Sequence, residues 1–121
     1  MKITINEALE KAIKAHKAGK IQEADKFYTS ILKVHPKHPD ANHNIGILAA
    51  GIGKTNEALT FFKIALEVNS KAPQYWLSYI NTLIKLQQLN EALQALQKYL
   101  KAGIIEEKFG NKTKENDKKK N

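Results

Sequence analysis

A repeat of 34 residues constrains this sequence more than any other feature. It is carried by acidic, small and bulky residues that recur in step along the chain: Glu23, Glu57 and Glu91, then Ala24, Ala58 and Ala92, then Tyr28, Phe62 and Leu96. A fixed period of this length is typical of stacked supersecondary units, and a period of 34 indicates paired helices. Such a stack buries its core between neighbouring units and exposes a broad curved surface.

Helical periodicity and turn residues divide the repeats into six helices. Asparagine, aspartate and threonine favour helix N-caps, proline is tolerated in a first turn, and glycine often ends a helix. We therefore expect the helices to start near Asn6, Ile21, Asp40, Thr55, Pro73 and Asn90, and to end near Ala18, Val34, Gly51, Asn69, Ile84 and Gly103, with Asn6, Asp40, Thr55 and Asn90 as N-caps. This pattern predicts an all-α protein.

The composition changes after the sixth predicted helix. The repeats span about residues 5–38, 39–72 and 73–106, and Ile104, Ile105 and Phe109 are expected to form a short C-terminal cap, so the repeat domain covers residues 1–109. Residues 110–121 are rich in lysine and asparagine and contain no apolar side chain. Because such a segment cannot offset its ordering entropy by burial, it is predicted to be disordered.

The repeat resembles the tetratricopeptide repeat. Residues 39–72 match the family pattern best, and the other two repeats keep parts of it. The matching residues are Gly19, Ala24, Tyr28 and Pro36, then Ile45, Gly46, Ala58, Phe62 and Ala65, then Trp76, Leu83 and Ala92, while Ala12 and Ile80 replace the usual helix-packing glycine. The resemblance covers three repeats of 34 residues, or 102 of 121. It implies a right-handed α-superhelix (α-solenoid) of three antiparallel helix pairs.

The resemblance also implies a binding face. In this family the first helix of each repeat lines a concave groove that contacts a protein or peptide partner. Transferred by position, that face consists of Asn6, Leu9, Ile13, His16, Lys17, Asp40, His43, Asn44, Ile47, Gln74, Leu77, Ser78, Asn81, Ile84 and Lys85. The alternative interpretation is that the apolar members pack between helices, as apolar helix residues usually do.

The expected function is therefore that of a scaffold for protein–protein interaction. Two alternatives remain open. One is a structural domain that self-associates weakly through its C-terminal end. The other is a targeting segment detached from a transferase, because the stretch from His38 to Ile80 is similar to repeat segments that precede bacterial transferase domains.

One subset of the family grips the C-terminal carboxylate of chaperones with paired lysine, asparagine and arginine side chains. At the corresponding positions this chain has Leu9, Ile13, Asn44, Gln74 and Ser78, and only Asn44 matches. The sequence therefore predicts against a clamp for chaperone tails.

Composition and motif spacing argue against several other functions. The chain has no cysteine, which excludes disulfides, thiolate catalysis and cysteine-based zinc sites. It has no complete phosphate-binding loop, nucleophile elbow or two-histidine zinc motif, so we expect no enzyme, no catalytic residue and no cofactor. His35 and His38 flank prolines in a connector, where polar residues are usual, and no metal site is predicted.

The net charge is +8, and all 20 basic residues are lysine, since the sequence has no arginine. Arginine is preferred for bidentate contacts with bases, and no aromatic residue interrupts the run Lys118-Lys119-Lys120, so no specific nucleic-acid partner is expected. The N-terminus lacks the apolar core of a signal peptide, and no apolar stretch reaches about 20 residues. We therefore expect a cytoplasmic protein without membrane insertion.

Overall fold

The computed structural model describes residues 3–103, which contain six α-helices and no strand. The helices are α1 (Ile5–Lys17), α2 (Ile21–Val34), α3 (Pro39–Gly51), α4 (Thr55–Val68), α5 (Pro73–Lys85) and α6 (Leu89–Lys101). They form three pairs, α1 with α2, α3 with α4 and α5 with α6, and the pairs stack through contacts of α2 with α3 and of α4 with α5. The predicted all-α fold, a right-handed α-superhelix of three antiparallel helix pairs, is confirmed.

Two predicted segments lie outside the described residues: the C-terminal cap at 104–109 and the tail at 110–121. Among the described helices, none is both long and apolar enough to span a bilayer.

Small residues are buried where the two helices of a pair cross. Ala12, Ala24 and Ala58 have no exposed surface. At Gly46 the approach is closer still, because a Cβ atom added there would lie 2.5 Å from Cε1 of Phe62. Glycine at this position therefore lets α3 lie directly against the phenylalanine ring of α4.

The turns inside the three pairs share one geometry. Gly19 and Gly53 have φ angles of 78° and 87°, and Gln87, one repeat further on, has a φ angle of 60°. After each of them, the next backbone N–H donates to a carbonyl five residues earlier, at 2.8–2.9 Å. This is the Schellman arrangement that closes a helix C-terminus. The third repeat makes the same turn with glutamine in place of glycine.

The connectors between pairs are held by side chains that also lie one repeat apart. Nδ2 of Asn42 donates to the carbonyl oxygens of Pro36 and His38, at 3.0 and 2.8 Å. Nε1 of Trp76 donates to the carbonyl oxygen of Ser70 at 2.7 Å. Asn42 and Trp76 are 34 residues apart, as are Pro36 and Ser70. The repeat thus keeps the hydrogen bond while changing the side chain that makes it.

The N-caps of α1 and α3 each lie two residues before the predicted ones. Oγ1 of Thr4 accepts from the N–H of Glu7 at 3.0 Å, so Thr4 caps α1 and Asn6 lies inside the helix. Nδ1 of His38 accepts from the N–H of Ala41 at 3.1 Å and caps α3. Pro39 fits the first helical position with its fixed φ, which moves Asp40 into the first turn.

The caps of α4 and α6 also differ from the prediction. Thr55 is the first residue of α4, and Asn90 is the second residue of α6; the N-caps are Lys54 and Gln88, and neither caps with its side chain. The physical reason is that each Schellman turn leads straight into the next helix and leaves no extended residue for a capping side chain.

Candidate functional site

The first helices of the three pairs line the inner face of the stack. α1 contacts α3, and α3 contacts α5, whereas no comparable contact joins α2 to α4 or α4 to α6 in the described part of the chain. The stack is therefore tighter on the side of the first helices. These helices carry all the side chains that the sequence predicts for partner binding.

Three aliphatic side chains on this face remain exposed although their helices are well packed. Ile47 on α3 is 41% exposed, and Leu77 and Ile84 on α5 are 52% and 49% exposed. Asn81, also exposed, lies on the same side of α5, because residues 77, 81 and 84 follow helical spacing. The surface combines apolar contact area with an amide that can donate and accept hydrogen bonds.

A cleft of about 260 Å³ continues the face at α1. It is lined by Ile13, His16 and Lys17 together with Asn44 from α3 and Tyr28 from α2. The Tyr28 hydroxyl lies 3.5 Å from Nδ1 of His16, and burial raises the pKa of Tyr28. The structure thus brings Asn44 together with three predicted residues of α1. Tyr28 is part of the repeat pattern but not of the predicted binding face, since nothing in the pattern shows that a second-helix residue reaches this cleft.

The predicted face divides by exposure into three sets. The exposed residues are Asn6, Lys17, Asp40, Ile47, Gln74, Leu77, Asn81, Ile84 and Lys85; the half-buried ones are Leu9, Ile13, His16, Asn44 and Ser78; and His43 is buried. Leu9 packs against two core clusters built from α1, α2 and α3, as the alternative interpretation, packing between helices, expects.

His43 packs against aromatic residues of α4 and α5, and its assignment to the partner-binding face stays a prediction. Its side chain is only 7% exposed, and its ring centroid lies 5.4 Å from that of Phe62 and 4.8 Å from that of Tyr75. Nε2 of His43 lies 2.8 Å from Oγ of Ser78, within hydrogen-bond distance. Burial lowers the pKa of His43, against the opposing effects of a hydrogen bond with Asn44 and of the nearby Asp40 carboxylate.

Asp40 makes a second link between the same two helices. The hydroxyl of the buried Tyr75 donates to Oδ1 of Asp40. Burial, and then the Asp40 carboxylate, raise the pKa of Tyr75. The pairs Asp40–Tyr75 and His43–Ser78 therefore join α3 to α5. Residues 3–103 contain no group of three or more histidine, cysteine, aspartate or glutamate side chains placed to hold a metal ion.

Comparison with known proteins identifies the fold. No protein-family model matches the sequence. Among solved structures, the first TPR of Spaghetti (RPAP3), determined with the HSP90 peptide SRMEEVD, is 24% identical with a TM-score of 0.71, over 80% of this chain and 79% of that one. MamA is 18% identical with a TM-score of 0.72, over 79% of this chain and 52% of that one.

An O-GlcNAc transferase from Thermobaculum terrenum is 21% identical with a TM-score of 0.72, over 84% of this chain. This chain spans only 20% of the length of that transferase and about half the length of MamA. The similarity at these identities is one of fold. By its fold, this chain is a tetratricopeptide-repeat-like protein.

Proposed function

We propose that this chain is a protein-interaction module that binds an extended segment of a partner protein along its inner face. The observation that carries this proposal is the exposure of Ile47, Leu77 and Ile84 on helices that are otherwise packed. Covering one such side chain completely is worth about 1.5–3 kcal/mol relative to full exposure. Apolar side chains of a partner would supply that cover.

Polar groups on the same face would orient the partner. Asn44 and Asn81 each offer an amide that can pair with the backbone of an extended peptide. Lys17 and Lys85 end α1 and α5 at equivalent repeat positions, and both are exposed. Together with the net charge of +8, they favour a partner segment that carries acidic residues, because complementary charge speeds and orients encounter.

The HSP90 peptide bound to the Spaghetti domain is not the expected ligand. The residues that would grip a chaperone carboxylate correspond here to Leu9, Ile13, Gln74 and Ser78, none of which carries a positive charge. We therefore expect the peptide SRMEEVD to bind this chain with a Kd above ~1 mM. The similarity to the transferase is likewise one of fold, and we propose no catalytic role for the inner face.

A peptide selection tests the proposal. Peptides are first selected from a displayed random library on the immobilised full chain. Their affinities for the wild type and for the double variant Asn44→Ala with Asn81→Ala are then measured by fluorescence polarisation. We expect about tenfold weaker binding by the variant, because each hydrogen bond contributes about 0.5–1.5 kcal/mol.

The matched control replaces two exposed polar residues at equivalent positions on the second helices, Gln22→Ala with Asn56→Ala. This control should bind like the wild type, and neither variant should lower the melting temperature by more than a few degrees. Equal binding by all three proteins, or an equal loss in both variants, would contradict the inner face as the site. A loss of stability in the Asn44 and Asn81 variant with unchanged binding would assign the amides a structural role.

A further inference from the structure

The outer surface of α6 carries a continuous stripe of leucines. Leu89, Leu93, Leu96 and Leu100 are 62%, 55%, 40% and 47% exposed. Their spacing of four, three and four residues places them on one face of the helix. In the described part of the chain α6 is the last helix, and the exposed residues beside the stripe, including Gln97 and Asn90, are mostly uncharged.

Comparison with the preceding repeat indicates what kind of structural element such a surface binds. Leu93 and Leu100 correspond, one repeat earlier, to Leu59 and Leu66 of α4. Leu66 is buried in the cluster that contains Trp76 of α5, and Leu59 packs against that cluster. At Leu93 and Leu100 the leucine stripe therefore lies where, on α4, the following helix is docked. It has the chemistry and spacing of a helix-binding surface.

The sequence one repeat after α5 does not repeat the side chains with which α5 docks on α4. α5 packs on α4 through Trp76, Tyr79 and Leu83, among others. One repeat later these positions hold a glycine, a threonine and an aspartate, namely Gly110, Thr113 and Asp117. These residues offer none of the large apolar area that α5 buries, so they cannot replace it on the leucine stripe.

The opposite end of the stack does not complement the stripe either. The same positions on α1 hold Ala8, Lys11 and Ala15, and Lys11 is exposed. Stacking α1 of one copy on α6 of another would press a lysine against leucines, and desolvating its ammonium group without a partner is costly. A head-to-tail filament is therefore disfavoured.

We propose that the leucine stripe pairs with the leucine stripe of a second copy, antiparallel across a two-fold axis. The stripe is symmetric about the midpoint between Leu93 and Leu96. Leu93 of one copy then lies opposite Leu96 of the other. Leu89 likewise lies opposite Leu100. A two-fold interface requires such a self-complementary surface, and this spacing provides it.

The dimer is weak. Four partly exposed leucines bury well under the ~800 Å² per partner of a standard interface. The net charge of +8 on each copy also opposes association. We expect dimers only at high micromolar concentration, and we expect salt to strengthen them because it screens the repulsion.

Sedimentation equilibrium of the full chain over a concentration series tests the pairing. The wild type should dimerise with a Kd on the order of 100 µM to 1 mM. Leu93→Gln with Leu96→Gln should stay monomeric. The matched control, Leu77→Gln with Ile84→Gln, removes two side chains of similar exposure from the inner face and should dimerise like the wild type.

Either of two results would overturn the proposal: a wild type that stays monomeric up to ~1 mM, or a leucine-stripe variant that dimerises as well as the wild type. The double variant Ile105→Asp with Phe109→Asp tests whether residues 104–109 of the same chain, rather than a second copy, cover the leucine stripe. Unchanged association supports the second copy. Stronger association would mean that residues 104–109 cover the stripe, and would overturn the proposal.

Disulfide trapping tests the antiparallel register, since the chain has no native cysteine. A mixture of Leu89→Cys and Leu100→Cys proteins should form a disulfide-linked dimer on mild oxidation. Either variant alone should form several-fold less, because identical positions then lie about 16 Å apart along the pair and a disulfide needs Cα atoms within ~7 Å. Efficient linkage of each variant alone, without gain on mixing, would exclude the antiparallel arrangement.

Discussion

One backbone angle departs from an otherwise regular pattern of turn residues. Gly19 and Gly53 supply the left-handed conformation in the first two turns, and Gln87 adopts it in the third. A side chain with a Cβ atom pays about 1–2 kcal/mol in this conformation, whereas glycine adopts it freely. The third turn therefore carries strain that the first two do not.

We expect Gln87→Gly to raise the free energy of unfolding by about 0.5–1 kcal/mol, as relief of this strain exceeds the added flexibility of the unfolded chain. Urea denaturation measures this change in the free energy of unfolding. The reciprocal change, Gly53→Gln, should lower stability by a similar amount, because a Cβ at Gly53 meets no atom within 4 Å and only the angle matters. A destabilised Gln87→Gly protein would show that the turn is not strained.

At the scale of helices, packing within each pair depends on matched sizes across the crossing point. Gly46 faces Phe62 in the second pair, and a Cβ at Gly46 would lie 2.5 and 2.8 Å from two ring carbons. In the third repeat the corresponding residues are Ile80 and Leu96, so a larger residue on the first helix accompanies a smaller one on the second.

Gly46→Ala should therefore cost about 1–3 kcal/mol through overpacking. Combining it with Phe62→Leu should cost less than the sum of the two single changes, because the shorter side chain leaves room for the added methyl group. Unfolding free energies of the wild type, both single variants and the double variant give the coupling, which we expect to be about 1 kcal/mol. Strict additivity would mean that the two residues do not compete for space.

At the scale of the whole molecule, two polar contacts tie the second repeat to the third. The Tyr75 hydroxyl donates to Asp40, and His43 lies within hydrogen-bond distance of Ser78. Both contacts join α3 to α5, and the His43 ring also packs against Phe62 and Tyr75. The junction between the repeats therefore contains a buried group that can take up a proton.

This junction should make stability depend on pH. Because burial lowers the pKa of folded His43, the unfolded chain takes up a proton near its ordinary pKa of about 6.5, where the folded chain does not. The contribution of His43 is thus fully present above about pH 6.5 and is lost as the pH falls from there towards the folded pKa.

The melting temperature should consequently fall between about pH 7.5 and about pH 5.5, and fall less in His43→Leu, which shares the other titrating groups. Leucine is the residue at both corresponding positions, Leu9 and Leu77. Equal pH dependence in the two proteins would show that His43 does not govern the acid response.

The secondary structure could be predicted from the sequence. The period of 34 residues, the pairing of helices and the starts and ends of all six helices to within about two residues follow from periodicity and turn chemistry, which act between near neighbours. The assignment of the first helices to the binding face came from the family resemblance, and it remains a prediction.

Contacts between distant residues were decided by the tertiary structure. His43 and Leu77 are one repeat apart and occupy the same helical position, yet the first is 7% exposed and the second 52%. The difference arises because α5 packs over His43. In the described part of the chain no further repeat follows α5 and α6, so nothing there packs over Leu77. The same holds for Leu59 and Leu93, because in the part of the chain that the structure describes only Leu59 has a following helix to pack on. A repeated sequence places equivalent residues at equivalent positions, but their burial depends on which neighbour the stack sets beside them.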